Sequence, residues 1–125
     1  MGTAPYGEAV MIVDLNRVKI FVRPGITDMR KQINGLAIIA ESVMNQRPFS
    51  GNVFLFCGRT RKVIKVLYWD LNGFCLWMKR LEKDRFPWPQ DDVEAREIER
   101  DQVLMLLRGI DFWREHRRLT YSTVL

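Results

Sequence analysis

A turn signal between two apolar runs constrains the fold of this chain more than any other feature of the sequence. Val63–Trp69 and Phe74–Arg80 are rich in β-branched and aromatic residues, and Asp70-Leu71-Asn72-Gly73 separates them. Asp bonds readily to the backbone of a turn, and Gly accepts a positive φ at its end. The two runs are therefore predicted to form an antiparallel hairpin.

Further strand signals extend this hairpin into a meander. Val53–Cys57 is almost wholly apolar and predicts a strand just before the hairpin. Val18–Val22 predicts an earlier strand, and Phe86–Trp88 predicts a short one that ends at Pro89. The sheet is thus expected to be an antiparallel β-meander of about four to five strands.

The helical signals complete an α+β fold class. Apolar residues at three- and four-residue spacings predict one long helix over Asp28–Asn45, with Thr27 as its N-cap. Residues 90–102 are acidic and polar and predict a solvated loop. Val103–Leu107 predicts a short C-terminal helix that Gly109 ends.

The length of 125 residues suits one domain with a real hydrophobic core. Residues 1–10 are predicted to be a flexible leader, residues 11–113 a single α+β domain, and residues 114–125 a basic, exposed tail. No apolar run approaches the roughly 18–20 residues of a membrane span, and the N-terminus does not resemble a secretory signal. Free, reduced cysteines are expected, which indicates a cytoplasmic protein. Without an apolar run long enough to span a bilayer, no membrane partner is expected.

Side chains suited to catalysis or metal binding are sparse. The chain has one histidine, His116 in the predicted tail, and its two cysteines, Cys57 and Cys75, lie far apart in sequence. A structural zinc site needs about four ligands, and no glycine-rich phosphate-binding loop occurs. The sequence therefore predicts no enzyme activity, metal, cofactor or small-molecule substrate. A metal-dependent nuclease built on separated aspartates stays as an alternative; the candidates are Asp14, Asp28, Asp70, Asp84 and Asp111.

The positive charge of the chain is concentrated in one stretch. Residues 59–85 hold eight Lys or Arg against three Asp or Glu, whereas residues 86–113 hold three against seven. A concentrated positive field attracts polyanions, of which nucleic acid is the commonest. In an antiparallel pair the start of one strand lies beside the end of the next, so both basic runs should meet at one edge of the sheet. The predicted DNA-binding residues are Arg59, Arg61, Lys62, Lys65, Lys79, Arg80, Lys83 and Arg85.

Aromatic residues leave other roles open. Trp77, Phe86 and Trp88 could stack on unpaired bases, although core packing is their ordinary role. Phe112 and Trp113 follow the acidic segment and are candidate residues for contact with a protein partner. The alternative to DNA binding is therefore a protein-interaction module. The oligomeric state stays open, and an unpaired meander edge permits pairing between copies.

Several strings of residues, in this order, resemble one known family. They are Gly25-Ile26-Thr27-Asp28-Met29-Arg30-Lys31 with Gly35-Leu36; Pro48-Phe49-Ser50-Gly51 leading to Trp69-Asp70; Gly73-Phe74 through Lys79-Arg80-Leu81-Glu82 to Trp88-Pro89; and Gly109-Ile110-Asp111-Phe112. They resemble the accessory protein, often called TnpB, that is encoded beside the transposase in the insertion sequence sixty-six family of bacterial mobile elements. That protein is distinct from the RNA-guided nuclease of the same name.

This resemblance covers about Met11 to Trp113. It implies a role in DNA transposition as a helper of the strand-transfer enzyme, with DNA and the transposase of the same element as partners. The resemblance supplies no catalytic residues. The direct partner, DNA through the basic edge or the transposase through a protein contact, is left open.

Overall fold

A five-stranded sheet carries one helix on each face in the computed structural model, which describes residues 13–90, 96–111 and 113. The strands are β1 (Ile20–Val22), β2 (Val53–Cys57), β3 (Val63–Asp70), β4 (Gly73–Arg80) and β5 (Arg96–Ile98). The helices are α1 (Ile33–Ser42) and α2 (Arg100–Leu107). The predicted α+β class is therefore confirmed. The predicted leader and tail lie outside the described residues.

The sheet is mixed and has the strand order β4-β3-β2-β1-β5. The predicted antiparallel meander is confirmed for β2, β3 and β4, which pair in sequence. The prediction that the whole sheet is antiparallel is wrong, because β1 pairs with β2 in parallel, with Ile20 opposite Val53. The chain between these two strands passes through α1, and a crossover of this kind returns the next strand in the same direction.

The first helix is shorter than the predicted range Asp28–Asn45, because residues before it bond elsewhere. Thr27 is buried, donates its backbone N–H to Cys57, and accepts a bond from the Arg23 guanidinium. The Asp28 carboxylate accepts bonds from the backbone and side chain of Arg30. Such local bonds offer the backbone an alternative to the helix. Gln32 takes the N-cap position without a side-chain capping bond.

The stretch around Pro89 differs from the prediction in two ways. Phe86–Trp88 is not a strand, since Pro87 and Pro89 lack the N–H groups that a sheet ladder needs. A strand instead occurs at β5, within the acidic stretch that was predicted to be a loop. It pairs antiparallel with β1 and buries Ile98, while Glu97 stays exposed at the sheet edge.

The short C-terminal helix is confirmed and begins at Arg100, earlier than its apolar run suggests. Glu99 and Gln102 form a capping box, in which each side chain accepts a bond from the other residue's backbone N–H. Gly109 follows the helix with a φ of 80°, the left-handed conformation expected of a helix stop.

Two apolar clusters fill the two sides of the sheet. Side chains from β1, β2 and β3 pack with Phe86, Trp88 and the buried α2 residues Val103 and Leu106 on one side. On the other side Phe21, Phe54, Phe56 and Leu67 pack against α1. All five residues of β2 are buried, as expected of a strand covered on both faces. Neither described helix is long and apolar enough to cross a membrane.

Candidate nucleic-acid interface

The loop between β2 and β3 is a tight, internally bonded turn. Gly58 donates its backbone N–H to Val63 and accepts a bond from the N–H of Arg61. Arg61 has a φ of 60°, which the turn requires. The loop thus presents the exposed side chains of Arg59 and Arg61 from a fixed backbone.

The segment that follows β4 is bonded directly to this loop. Leu81 donates its backbone N–H to the Lys62 oxygen at 2.7 Å, and Phe86 donates to the Arg61 oxygen at 2.7 Å. These two bonds hold residues 58–62 against residues 81–86 at one end of the β3–β4 hairpin. The two basic runs of the sequence therefore lie side by side.

This arrangement defines the basic end of the sheet. It carries six cationic side chains and two carboxylates, Glu82 and Asp84, of which Glu82 lies 3.1 Å from the Arg80 guanidinium. That pair is exposed to water and contributes little to stability. The side chains of Arg59, Arg61, Lys62, Lys83 and Arg85 make no hydrogen bond or ion pair with other described residues. The cations of the basic end are Arg59, Arg61, Lys62, Arg80, Lys83 and Arg85.

Lys65 does not belong to this surface, which corrects its prediction as a DNA contact. It is 4% exposed and lies in the middle of the sheet on the side of α1. Its ammonium group donates to the backbone oxygens of Met29 and Lys31 at 2.9 and 2.8 Å and faces Gln32 Oε1 at 3.4 Å. A buried ammonium is stable only when such acceptors surround it.

Lys79 is half-buried and bonded within the protein, which weakens its prediction as a DNA contact. Its Nζ donates to the Leu107 backbone oxygen at 2.9 Å, at the C-terminal end of α2. The last carbonyls of a helix lack partners within the helix and carry partial negative charge. Lys79 therefore joins β4 to the end of α2, and this bond uses one of the three donors of its ammonium group.

The aromatic residues near the basic end are core residues. Phe86 is 1% exposed and Trp88 is 6% exposed, and the Trp88 indole donates to the Arg23 backbone oxygen at 2.8 Å. Trp77 is partly buried against the same cluster. Phe86 and Trp88 therefore offer no surface on which a nucleic-acid base could stack, and the core-packing interpretation is correct for them.

Trp113, a predicted contact for a protein partner, is half-buried and bonded to the rest of the domain. Its indole N–H donates to the Pro87 backbone oxygen at 2.8 Å, and the Arg96 guanidinium lies 5.3 Å from its ring centroid. The contact is a cation–π interaction between the start of β5 and the C-terminal end of the domain. Phe112 lies outside the described residues.

The thiol and carboxylate groups form no metal site within residues 13–90, 96–111 and 113, where no group of three or more His, Cys, Asp or Glu comes together. Both cysteines are free. Burial raises the pKa of the Cys57 thiol to about 12, although the Arg61 charge and a backbone bond from Gly58 lower it. Cys57 is thus an inert core thiol next to the basic end.

Sequence signals could have separated the buried cations from the exposed ones. Lys65 lies within an apolar run that continues on both sides of it, which is typical of a strand covered on both faces. Arg59 and Arg61 lie in a loop that contains Gly58 and Thr60 and no apolar side chain. Lys79 carries no such signal, because α2 reaches it only in the folded structure.

Comparisons with known proteins identify relatives of this chain. Two proteins of Sinorhizobium fredii are similar to the chain, and both are named as uncharacterized. One, y4hO, is 38% identical over 104 residues, which are 83% of this chain and 90% of that protein. The other, y4jC, is 28% identical over 108 residues, which are 86% and 92% of the two chains. No solved structure matches.

A family model gives the assignment. Residues 18–117 match the model described as IS66 Orf2 like protein, so most of the chain is covered, including every described strand and helix. The chain therefore belongs to the IS66 Orf2-like family of insertion-sequence accessory proteins.

Proposed function

We propose that this protein is a non-catalytic accessory factor in DNA transposition that binds DNA of its element through the basic end. The observation that carries the proposal is the pair of backbone bonds from Leu81 to Lys62 and from Phe86 to Arg61. These bonds hold the two basic runs side by side, and six cations lie on them at one end of the β3–β4 hairpin. Membership in the IS66 Orf2-like family supports a role in transposition. The local excess of positive charge supports direct contact with DNA.

The chemistry of these six groups suits phosphates. Arginine offers a planar fork of donors that can bind two phosphate oxygens, whereas lysine acts as a point charge. Five of the six have no competing hydrogen bond or ion pair among the described residues. The two carboxylates in the same region leave a local excess of positive charge, so a polyanion is the expected ligand.

Fluorescence anisotropy of labelled duplex DNA from an end of the element tests the proposal. Scrambled duplex and single-stranded DNA are measured beside it at several salt concentrations. Phosphate contacts release counterions, so the logarithm of affinity should fall linearly with the logarithm of salt concentration. Affinity that does not change with salt would contradict contact through phosphates.

A matched pair of variants assigns the contact to the basic end. Arg59→Gln with Arg61→Gln should weaken binding and lower the magnitude of the salt slope by roughly 1.8, about 0.9 per lost phosphate contact. Lys19→Gln with Arg47→Gln removes the same charge near the other end of β2, where both residues are exposed. This control should bind like the wild type. Equal losses in both variants would mean that only net charge matters.

Docking on the transposase is the second candidate function, and exposed aromatic surface favours it. Phe49 is 63% exposed and lies 5.1 Å from Trp69 and 5.2 Å from Phe74 between ring centroids, at the turn end of the hairpin. Phe49→Ser should then abolish co-elution with the purified transposase. Ile38→Ser, at a side chain that is 64% exposed on α1, is the matched control. Co-elution that survives Phe49→Ser would exclude this surface.

A further inference from the structure

The two edges of the sheet differ in how well they are protected. β5 forms one edge with three residues, and two of them, Arg96 and Glu97, are exposed charged residues. β4 forms the other edge with eight residues, no proline and an apolar stretch from Phe74 to Met78. Natural proteins protect edge strands with short length, charge or proline. By that standard β5 is protected, and among the described residues no strand pairs with the outer edge of β4.

The hydrogen bonding of the hairpin determines which β4 groups point outward. Asp70 pairs with Gly73 across a two-residue loop, and Leu81 donates to Lys62 beyond the other end of the strand. Alternate pairs in an antiparallel ladder exchange backbone bonds. Odd-numbered residues of β4 therefore bond to β3. Phe74, Leu76, Met78 and Arg80 direct their backbone N–H and C=O groups to the free edge.

The same even-numbered residues share the face of the sheet that carries α1. Phe74 and Leu76 pack against the cluster beneath α1. Met78 follows with the same alternation and is 60% exposed. The free backbone groups and an apolar row thus coincide at this edge. A strand that pairs here gains both backbone bonds and apolar contact.

We propose that β4 pairs antiparallel with β4 of a second copy of this chain, centred on Leu76. In this register Leu76 lies opposite the partner's Leu76, and Phe74 lies opposite the partner's Met78. The pairing is self-complementary, because each apolar side chain of the row meets an apolar side chain. Arg80 lies opposite the partner's Asn72, so no like charges oppose each other within the strand.

The strand sequence favours a second copy over a strand of another protein. A two-fold axis through Leu76 brings the residue two positions before it opposite the residue two positions after it in the partner, so self-pairing is favourable when both residues are apolar. Phe74 and Met78 meet this requirement around Leu76. The two copies form one continuous ten-stranded sheet, and both α1 helices lie on the same face of it.

Such a dimer carries two basic ends, a consequence that rests on the proposed function. Arg80 of one copy and the partner's Arg80 are offset by eight residues along the paired strands. At about 3.4 Å per residue the separation along the strands is roughly 27 Å. Two phosphate-binding ends at this spacing suit two nearby segments of one duplex.

Cysteine cross-linking tests the register without using DNA, so its failure is separate from a failure of DNA binding. In a Cys75→Ser background, Leu76→Cys places two thiols on directly opposed residues with a Cα–Cα separation of about 5.5 Å. That separation is within disulfide reach. Mild oxidation should give a covalent dimer on a non-reducing gel.

Met78→Cys in the same background is the matched control. Met78 lies opposite the partner's Phe74, so the two introduced thiols are four residues apart along the strands, at about 14 Å. It should stay uncross-linked under the same conditions. Equal cross-linking of the two variants, or of neither, would overturn the proposed register.

Sedimentation equilibrium supplies a measurement that needs no cysteine. The wild type should be dimeric, and Met78→Lys should be monomeric, because it places charge in the apolar row. Ile26→Lys, at an exposed residue beyond the end of β1, should stay dimeric. A monomeric wild type, or a Met78→Lys protein that is folded by circular dichroism and still dimeric, would overturn the proposal.

Discussion

The ammonium group of Lys65 donates a hydrogen bond of 2.8 Å to the backbone oxygen of Lys31. The bond links the centre of the sheet to the segment that leads into α1. A second bond, to Met29, uses a carbonyl that a longer helix would have paired within itself. The cation in the sheet therefore helps to decide where the first helix begins.

Lys65→Met should lower the free energy of unfolding by about 2–3 kcal/mol, because two part-buried bonds from a charged donor are lost. Urea unfolding followed by fluorescence measures the change. Lys83→Met, at an exposed position, should change stability by less than about 0.5 kcal/mol. A Lys65→Met protein as stable as the wild type would show that the carbonyls find other donors.

Leu71→Gly should stabilise the protein by about 0.5–1 kcal/mol. Leu71 has a φ of 51° in the hairpin turn and is 92% exposed, so its side chain gains no packing that offsets the strain. Glycine removes that strain, worth about 1–2 kcal/mol, and loses part of the gain to its larger unfolded-state entropy. Thermal unfolding measures the effect. Leu71→Ala keeps a Cβ and should bring no such gain.

Cys57 should resist alkylation at pH 8 in the folded protein and react readily in urea. Its pKa of about 12 leaves almost no thiolate, which is the reactive form. The alkylation rate of Cys57 is measured in Cys75→Ser, where Cys57 is the one remaining thiol. Cys57→Ser is the control, in which the half-buried Cys75 should react faster than Cys57 does. Rapid reaction of Cys57 in the folded state would place that thiol at the surface.

The same pKa gives a direction for the dependence of stability on pH. The folded pKa of Cys57 lies above its usual value of 9.0, so folding favours the protonated thiol. This contribution is complete below pH 9.0 and is lost as the pH rises toward 12. The loss of stability in strong alkali should therefore be smaller in Cys57→Ala than in the wild type.

Trp113→Phe should lower the free energy of unfolding by about 0.5–1.5 kcal/mol, because the Pro87 carbonyl loses its donor while the ring stays. Trp69→Phe is the matched control. Its indole N–H makes no hydrogen bond with the described residues, so the change should be smaller. Equal losses in the two variants would mean that the bond to Pro87 contributes nothing.

Local patterns predicted the parts of this fold that local chemistry governs. The hairpin of β3 and β4 and the apolar β2 occur where the sequence placed them, because strand alternation and turn residues act over a few positions. The positive φ in the turn lies at Leu71 and not at Gly73, a detail that the type of turn decides. The resemblance to the insertion-sequence family also came from the order of strings along the chain.

The sequence by itself determined the α+β class, the meander, the family and the concentration of cations in residues 59–85. Only the tertiary structure decided which of those cations reach water. Lys65 is buried and Lys79 is half-buried, because each ammonium group reaches a carbonyl acceptor in a segment distant in sequence. Likewise β5 forms because it can pair with the edge of β1. The acidic sequence around β5 gives no sign of this strand. Burial and partnership are properties of the assembled core, so the meeting of the two basic runs was predictable from the sequence, whereas the fold decided which cations remain on the candidate DNA surface.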